Sequence, residues 1–172
     1  DSGKLTCTYL GVAHRATAAT IRDWMLGAGL DASIDAIGNV VGRWRGDGSI
    51  TKTLITGSHY DTVTDAGRYD GRLGILLPIA CVAELRQRTV RLPFDLEIVA
   101  FADEEGVRYK STFLGSSALA GTFDAALLDN VDAGGISMRD AIDAAGLDPR
   151  AIGSLARAPS TLAGYVEVHI EQ

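Results

Sequence analysis

Apolar positions recur three and four residues apart over residues 13–30, with Ile21, Trp24, Met25 and Ala28 on one stripe and Arg15, Arg22 and Asp23 off it. That period predicts an amphipathic helix with Gly29 as its stop. Residues 32–37 and 40–44 predict two short strands joined at Gly38-Asn39, and Gly46-Asp47-Gly48-Ser49 reads as a turn. A short buried strand follows at 53–58, then a polar, glycine-punctuated loop from Gly57 to Gly71. Residues 73–88 are mostly apolar over more than ten positions, which favours a buried helix over a strand. Residues 94–102 predict a buried strand that runs directly into Asp103-Glu104-Glu105-Gly106. From 113 to 156 a helical pattern is broken by Gly121, Gly134-Gly135 and Asp148-Pro149, so short helices are expected, and 161–170 closes as a strand. This order of elements predicts an α/β layer architecture with ligand groups at strand ends.

Composition narrows the class. The 172 residues, 47% hydrophobic and 22% charged, suffice for one domain with a real core and exclude a disordered chain. A net charge of −6 with scattered basic residues argues against nucleic acid as a partner. Cys7 and Cys81 are too few for a disulfide scaffold and wrongly spaced for a zinc knuckle, so a reducing cytoplasm is the expected compartment. The longest apolar run, 73–83, is too short for a bilayer span, and no signal peptide opens the chain. The start at Asp1 and the stop at Gln172, just after a strand-like alternation, predict a piece of a longer chain.

Two of the three histidines, His59 and His169, lie near the ends of predicted buried strands beside carboxylates. His59 and Asp61 flank one residue, so on an extended segment they share a face, where the carboxylate can fix the imidazole tautomer and free the other nitrogen for a metal. Asp70 opens the next predicted helix, where it could bridge two metals or serve as an ordinary N-cap. Three acids in a row at an apolar strand end need something to offset their repulsion, be it cations or water. Adjacent Glu104 and Glu105 point differently, so one can bind metal while the other acts as general base. Alternation would put Glu167, His169 and Glu171 on one strand face. His14 is expected at the surface, and Cys81 in the core.

In this order, Gly57-Ser58-His59-Tyr60-Asp61-Thr62, Gly67-Arg68-Tyr69-Asp70-Gly71, Ala102-Asp103-Glu104-Glu105-Gly106-Val107-Arg108-Tyr109, Phe113-Leu114-Gly115-Ser116 and His169-Ile170-Glu171-Gln172 resemble the binuclear-metal M20 hydrolases. The resemblance is to the branch holding allantoate amidohydrolase, N-carbamoyl-L-amino-acid hydrolase and β-ureidopropionase. It implies that residues 1–172 are the N-terminal portion of an M20-type catalytic domain. The implied fold is α/β, a central mixed β-sheet flanked by helices, with the lid or dimerisation domain and the C-terminal part absent. It further implies His59 and His169 as ligands of one metal, Asp70 as the bridge and Glu105 as a ligand of the second metal. Glu104 is implied as general base, Asp61 as the residue orienting His59 and Gln172 as a substrate contact. Two divalent ions, zinc or manganese, and a small ureido or carbamoyl substrate follow from the same likeness, as does a homodimer for a full-length member. The implied reaction hydrolyses a C–N bond without a covalent intermediate and releases ammonia and carbon dioxide. Family members complete the second metal site with a histidine beyond the end of this sequence, so the chain alone is expected to bind metal poorly at one position.

A dipeptidase or aminoacylase of the same superfamily, a catalytically incomplete fragment or paralogue, and a dinuclear phosphoesterase are the competing readings. Activity on carbamoylated amino acids but not dipeptides separates the first, and release of ammonia rather than phosphate separates the last.

Overall fold

The computed structural model describes residues 5–170. Strands β1 (Asp31–Ile34), β2 (Val40–Trp44), β3 (Thr53–His59), β4 (Asp95–Phe101) and β5 (Leu162–Val166) form one mixed sheet in the order β1-β2-β4-β3-β5. The β1–β2 and β2–β4 pairs are antiparallel, whereas β4, β3 and β5 run parallel. Helices α1 (Val12–Gly27), α2 (Leu73–Gln87), α3 (Leu114–Ala120) and α4 (Met138–Ala144) flank it, with short 3-10 turns between α3 and β5. This is the mixed sheet flanked by helices that the sequence resemblance implies. Because α2 connects β3 to parallel β4, the carboxyl ends of both strands point the same way, where open α/β sheets gather ligands. The register carries His59 opposite Phe101, so the loops after β3 and β4 leave the sheet at one level.

The main core lies between the sheet and the helices, with Ile21 and Met25 from α1, Ile75, Ile79 and Val82 from α2, and Ile98 and Ala100 from β4. Val41, Ile55, Val99, Phe101 and Leu119 form a smaller cluster apart from it. Glu97 on β4 is buried too, and it meets Arg43 at 2.8 Å and Arg157 at 3.0 Å. Two guanidinium groups offset the cost of taking its charge out of water.

Several expectations need correction. The buried stripe of α1 is His14, Ala18, Ile21 and Met25, whereas Trp24 is half-exposed. The helical period was read correctly, but the face that packs on the sheet is rotated, and it takes His14 into the core. Cys81 is exposed, because α2 buries only Gly74, Ile75, Ile79 and Val82 and leaves a second apolar side open. β1 stops at Ile34, where the Asp35 carboxylate accepts N–H bonds from Ile37 and Asn39 and turns the chain. β5 stops at Val166, and the segment after it crosses the first turn of α2, where any side chain at Gly74 would collide with the Val168 carbonyl. Glu167 and His169 therefore do not sit on a strand. No helix among the described residues is long and apolar enough to cross a membrane.

His14 is 1% exposed and its Nε2 lies 2.6 Å from the Ala102 carbonyl. Burial, against that hydrogen bond, pushes the imidazole down to about 4 from 6.5. The folded state therefore binds fewer protons than the unfolded chain between those values. The contribution of neutral His14 is intact above pH 6.5 and is lost as pH falls toward 4, by up to about 3 kcal/mol. Urea denaturation of the wild type and His14→Gln from pH 7.5 to 4 should show that excess loss in the wild type alone.

Candidate metal centre

His59 ends β3 with 2% of its side chain exposed. Its Nδ1 faces the Asp61 backbone carbonyl at 3.1 Å and the Asp61 carboxylate at 3.3 Å. With a proton held at Nδ1, Nε2 is the nitrogen left for a metal. That atom lies 3.2 Å from His169 Nε2 and 3.6 Å from Asp70 Oδ1, and the latter two are 3.4 Å apart. An ion held at the roughly 2.0–2.2 Å usual for zinc separates tetrahedral ligand atoms by about 3.3–3.6 Å. The spacing of these three donors therefore fits a divalent cation.

Asp70 is 2% exposed and does not cap α2, whose N-cap position is Arg72 and carries no side-chain cap bond. Its carboxylate is turned to the two imidazoles instead. Gly71 makes that turn possible: its φ is +65°, and a Cβ there would lie 2.6 Å from His59 Nε2.

The acidic triplet approaches from β4. Asp61 accepts N–H bonds from Glu104 at 3.0 Å and Glu105 at 3.1 Å, one on each carboxylate oxygen. One side chain thus orients His59 and fixes the backbone of both glutamates. Donor atoms of His59, Glu104 and Glu105 come within 4.8 Å of one another, so the imidazole belongs to a second group as well as the first. Asp103 is buried, and burial together with the Asp61 carboxylate pushes it well up, into the protonated form at neutral pH. Burial also raises Glu104, against the opposing pull of His59. Burial and the neighbouring Glu104 raise Glu105. For His59, burial disfavours the charged ring, but Asp61, Glu104 and Asp70 outweigh it and bring the group up to about 9.

The structure brings His59, Asp61, Asp70, Glu104, Glu105 and His169 together, while Gln172 lies outside the described residues. A cavity of about 770 Å³ opens beside them, reached by His59, Glu104 and His169 and walled by Phe101, Phe113 and Tyr165. Sequence reasoning gave no part to Asn39 and none to His14. Asp35 and Asn39 flanking Ala36-Ile37-Gly38 did carry a signal for a side-chain-closed turn.

Comparison with known proteins places the chain in a family. The model of Peptidase family M28 matches residues 39–152. The chain is 42% identical to a probable allantoate deiminase of Oryza sativa subsp. japonica, over 99% of its own length and 35% of the relative's. It is 39% identical to an N-carbamoyl-L-amino acid amidohydrolase of Geobacillus stearothermophilus, over 99% of its length and 42% of the relative's. The solved structure of AtUAH in complex with (S)-hydroxyglycine superposes with a TM-score of 0.89 at 28% identity, covering 99% of this chain and 42% of that one. The chain thus spans well under half the length of these relatives.

Gly71→Ala should disturb the centre through backbone and contact at once. An alanine at positive φ costs about 1–2 kcal/mol by itself, and the methyl group would displace the His59 ring. Metal retained after manganese loading and desalting should fall at least tenfold while the folded circular-dichroism spectrum persists.

Proposed function

The chain belongs to peptidase family M28, and from that premise we propose that it carries the binuclear metal centre of an amidohydrolase acting on a linear ureido or amide C–N bond. Ammonia and carbon dioxide are the expected products beside an amine, and allantoate or an N-carbamoyl-L-amino acid is the expected substrate. The observation that carries the reading is the triangle of His59 Nε2, His169 Nε2 and Asp70 Oδ1 at 3.2–3.6 Å, with Glu104 beside it. The names of the rice and Geobacillus stearothermophilus relatives support the substrate class.

In this proposal His59 and His169 would hold one ion, Asp70 would serve as the shared ligand and Glu105 would hold the second, while Asp61 orients His59. Zinc and manganese both suit imidazole and carboxylate donors. Bound there, such ions supply a polarising charge for the substrate carbonyl and a water of lowered pKa. Glu104 accepts the proton of the attacking water and returns it to the leaving nitrogen, a task that its raised pKa suits. Gln172 contacts the substrate, and residues 1–172 form the N-terminal portion of the catalytic domain. Using His169 where peptidase relatives carry an acidic ligand favours ureido substrates over dipeptides. The family's peptidase description supports the second reading, a dipeptidase or aminoacylase.

Metal content after zinc or manganese loading and desalting tests the centre on the chain itself. The wild type should retain metal, and Asp70→Ala should lose at least one equivalent per chain. Because His59 stands at about 9 without metal, uptake at pH 7 should release a proton. Apparent affinity should then rise with pH up to about 9, as a pH-stat titration would record.

Turnover is tested with the chain joined to the downstream part of the Geobacillus stearothermophilus relative. Ammonia should be released from allantoate or an N-carbamoyl amino acid, and dipeptides should remain uncut. Glu104→Gln should keep the metal and slow turnover by about 10²–10⁴-fold. Dipeptide cleavage without ammonia release would favour the peptidase reading.

A further inference from the structure

Beneath the metal centre, the last residues of β3 and β4 are held by side chains that no metal would touch. Ala102, one residue before the acidic triplet, is bonded through both of its backbone groups. Its N–H donates to Asn39 Oδ1 at 2.9 Å, and its carbonyl accepts from His14 Nε2 at 2.6 Å. Both partners are buried, His14 at 1% and Asn39 at 0% exposure. Asn39 is itself fixed, since its Nδ2 donates to Asp35 Oδ2 at 3.0 Å and to the Gly115 carbonyl at 3.1 Å. Gly115 is the second residue of α3, and a Cβ there would strike the Asn39 amide, so the approach needs a glycine.

His14 also reaches the other strand. Its ring packs on Tyr60 at 4.4 Å between centroids, and the Tyr9 ring meets it edge-on at 5.5 Å. Tyr60 lies between His59 and Asp61, and its hydroxyl donates to the Gly38 carbonyl at 2.7 Å. One imidazole from α1 therefore touches the chain that carries His59 and Asp61 and the chain that carries Glu104 and Glu105. The β1–β2 turn, through Gly38 and Asn39, touches the same two chains from another side.

We propose that His14 and Asn39 are positioning residues for the metal centre, setting the distance between the His59–Asp61 pair and the Glu104–Glu105 pair. The proposal rests on the reading that these four residues serve a metal-dependent hydrolase. Ala102 has one peptide carbonyl to accept with, and only a donor at position 14 reaches it from the helix. A residue of similar size without a donor keeps the core filled but frees the peptide to rotate. The glutamates, two and three residues further on, then keep their Asp61 bonds but lose the support beneath them. Gln at position 14 restores the donor.

Manganese affinity of the 172-residue chain, followed by equilibrium dialysis, tests this with His14→Phe, His14→Gln and Asn39→Ala. His14→Phe and Asn39→Ala should weaken manganese binding at least tenfold, while His14→Gln stays within about twofold of the wild type. The rise in thermal midpoint on adding manganese should shrink in step for the first two and persist for the third. A role in packing alone would shift the metal-free midpoint and leave both metal readouts unchanged. Wild-type affinity in His14→Phe and Asn39→Ala, or equal weakening in His14→Phe and His14→Gln, would overturn the positioning role while leaving the hydrolase reading intact. A wild-type chain that binds no manganese would overturn the hydrolase reading and the positioning role with it.

Discussion

Four carboxyl groups, those of Asp61, Asp70, Glu104 and Glu105, are held around the His59 imidazole at the end of the sheet, with Asp103 against Asp61 behind them, and the local structure follows from keeping them there. Two like charges about 4 Å apart repel by roughly 4 kcal/mol at the effective dielectric usual near a protein surface. Left to side-chain freedom, such a group would disperse into solvent. Here Asp61 takes two backbone N–H groups and faces His59, and Asp103 is held in its neutral form by burial and by Asp61. His59 is driven toward its charged form, although burial alone would oppose it.

Strand β4 contains the control for this argument. Glu97 lies on the same strand, equally buried, and is matched by Arg43 and Arg157. That is how a structural acid is accommodated: permanent cations, at bidentate range, on neighbouring elements. Asp61 is met instead by amides and an imidazole, which bind the carboxylate but add no permanent positive charge. The difference between Glu97 on β4 and Asp61 just after β3 separates a salt bridge of the fold from a cluster with room for an exchangeable cation.

Much of this was legible in the sequence, and the parts that were not share a cause. Short-range pattern located β2, α2 and β4 to within a residue or so, because a long apolar run bounded by glycine and polar turns has few alternative readings. His59, Asp61, Asp70, Glu104 and Glu105 were identifiable because each stands at the end of such an element. His14 and Trp24 exchanged places because a helical period tells which residues share a face, but which face meets the sheet depends on partners far along the chain. The Asn39–Ala102 bond spans 63 residues, and nothing local announces it. β5 ends early, and the chain after it crosses α2 at Gly74, a close approach between distant elements that no local pattern announces.

The buried supports and the charged cluster answer different parts of one physical problem. Protons and divalent cations are alternative ways of neutralising the same carboxylates, so the cluster changes partners as conditions change. The backbone that carries it must not move when they do. Rigidity of that kind cannot come from the cluster, since its own attractions and repulsions reverse with each proton gained or lost. It has to come from groups that do not titrate in the working range, such as Asn39, the Tyr9 and Tyr60 hydroxyls raised far above neutrality by burial, and a histidine kept neutral by the same burial. The polar groups packed under the strand ends are of that kind, which explains why a short polar layer persists inside an otherwise apolar core.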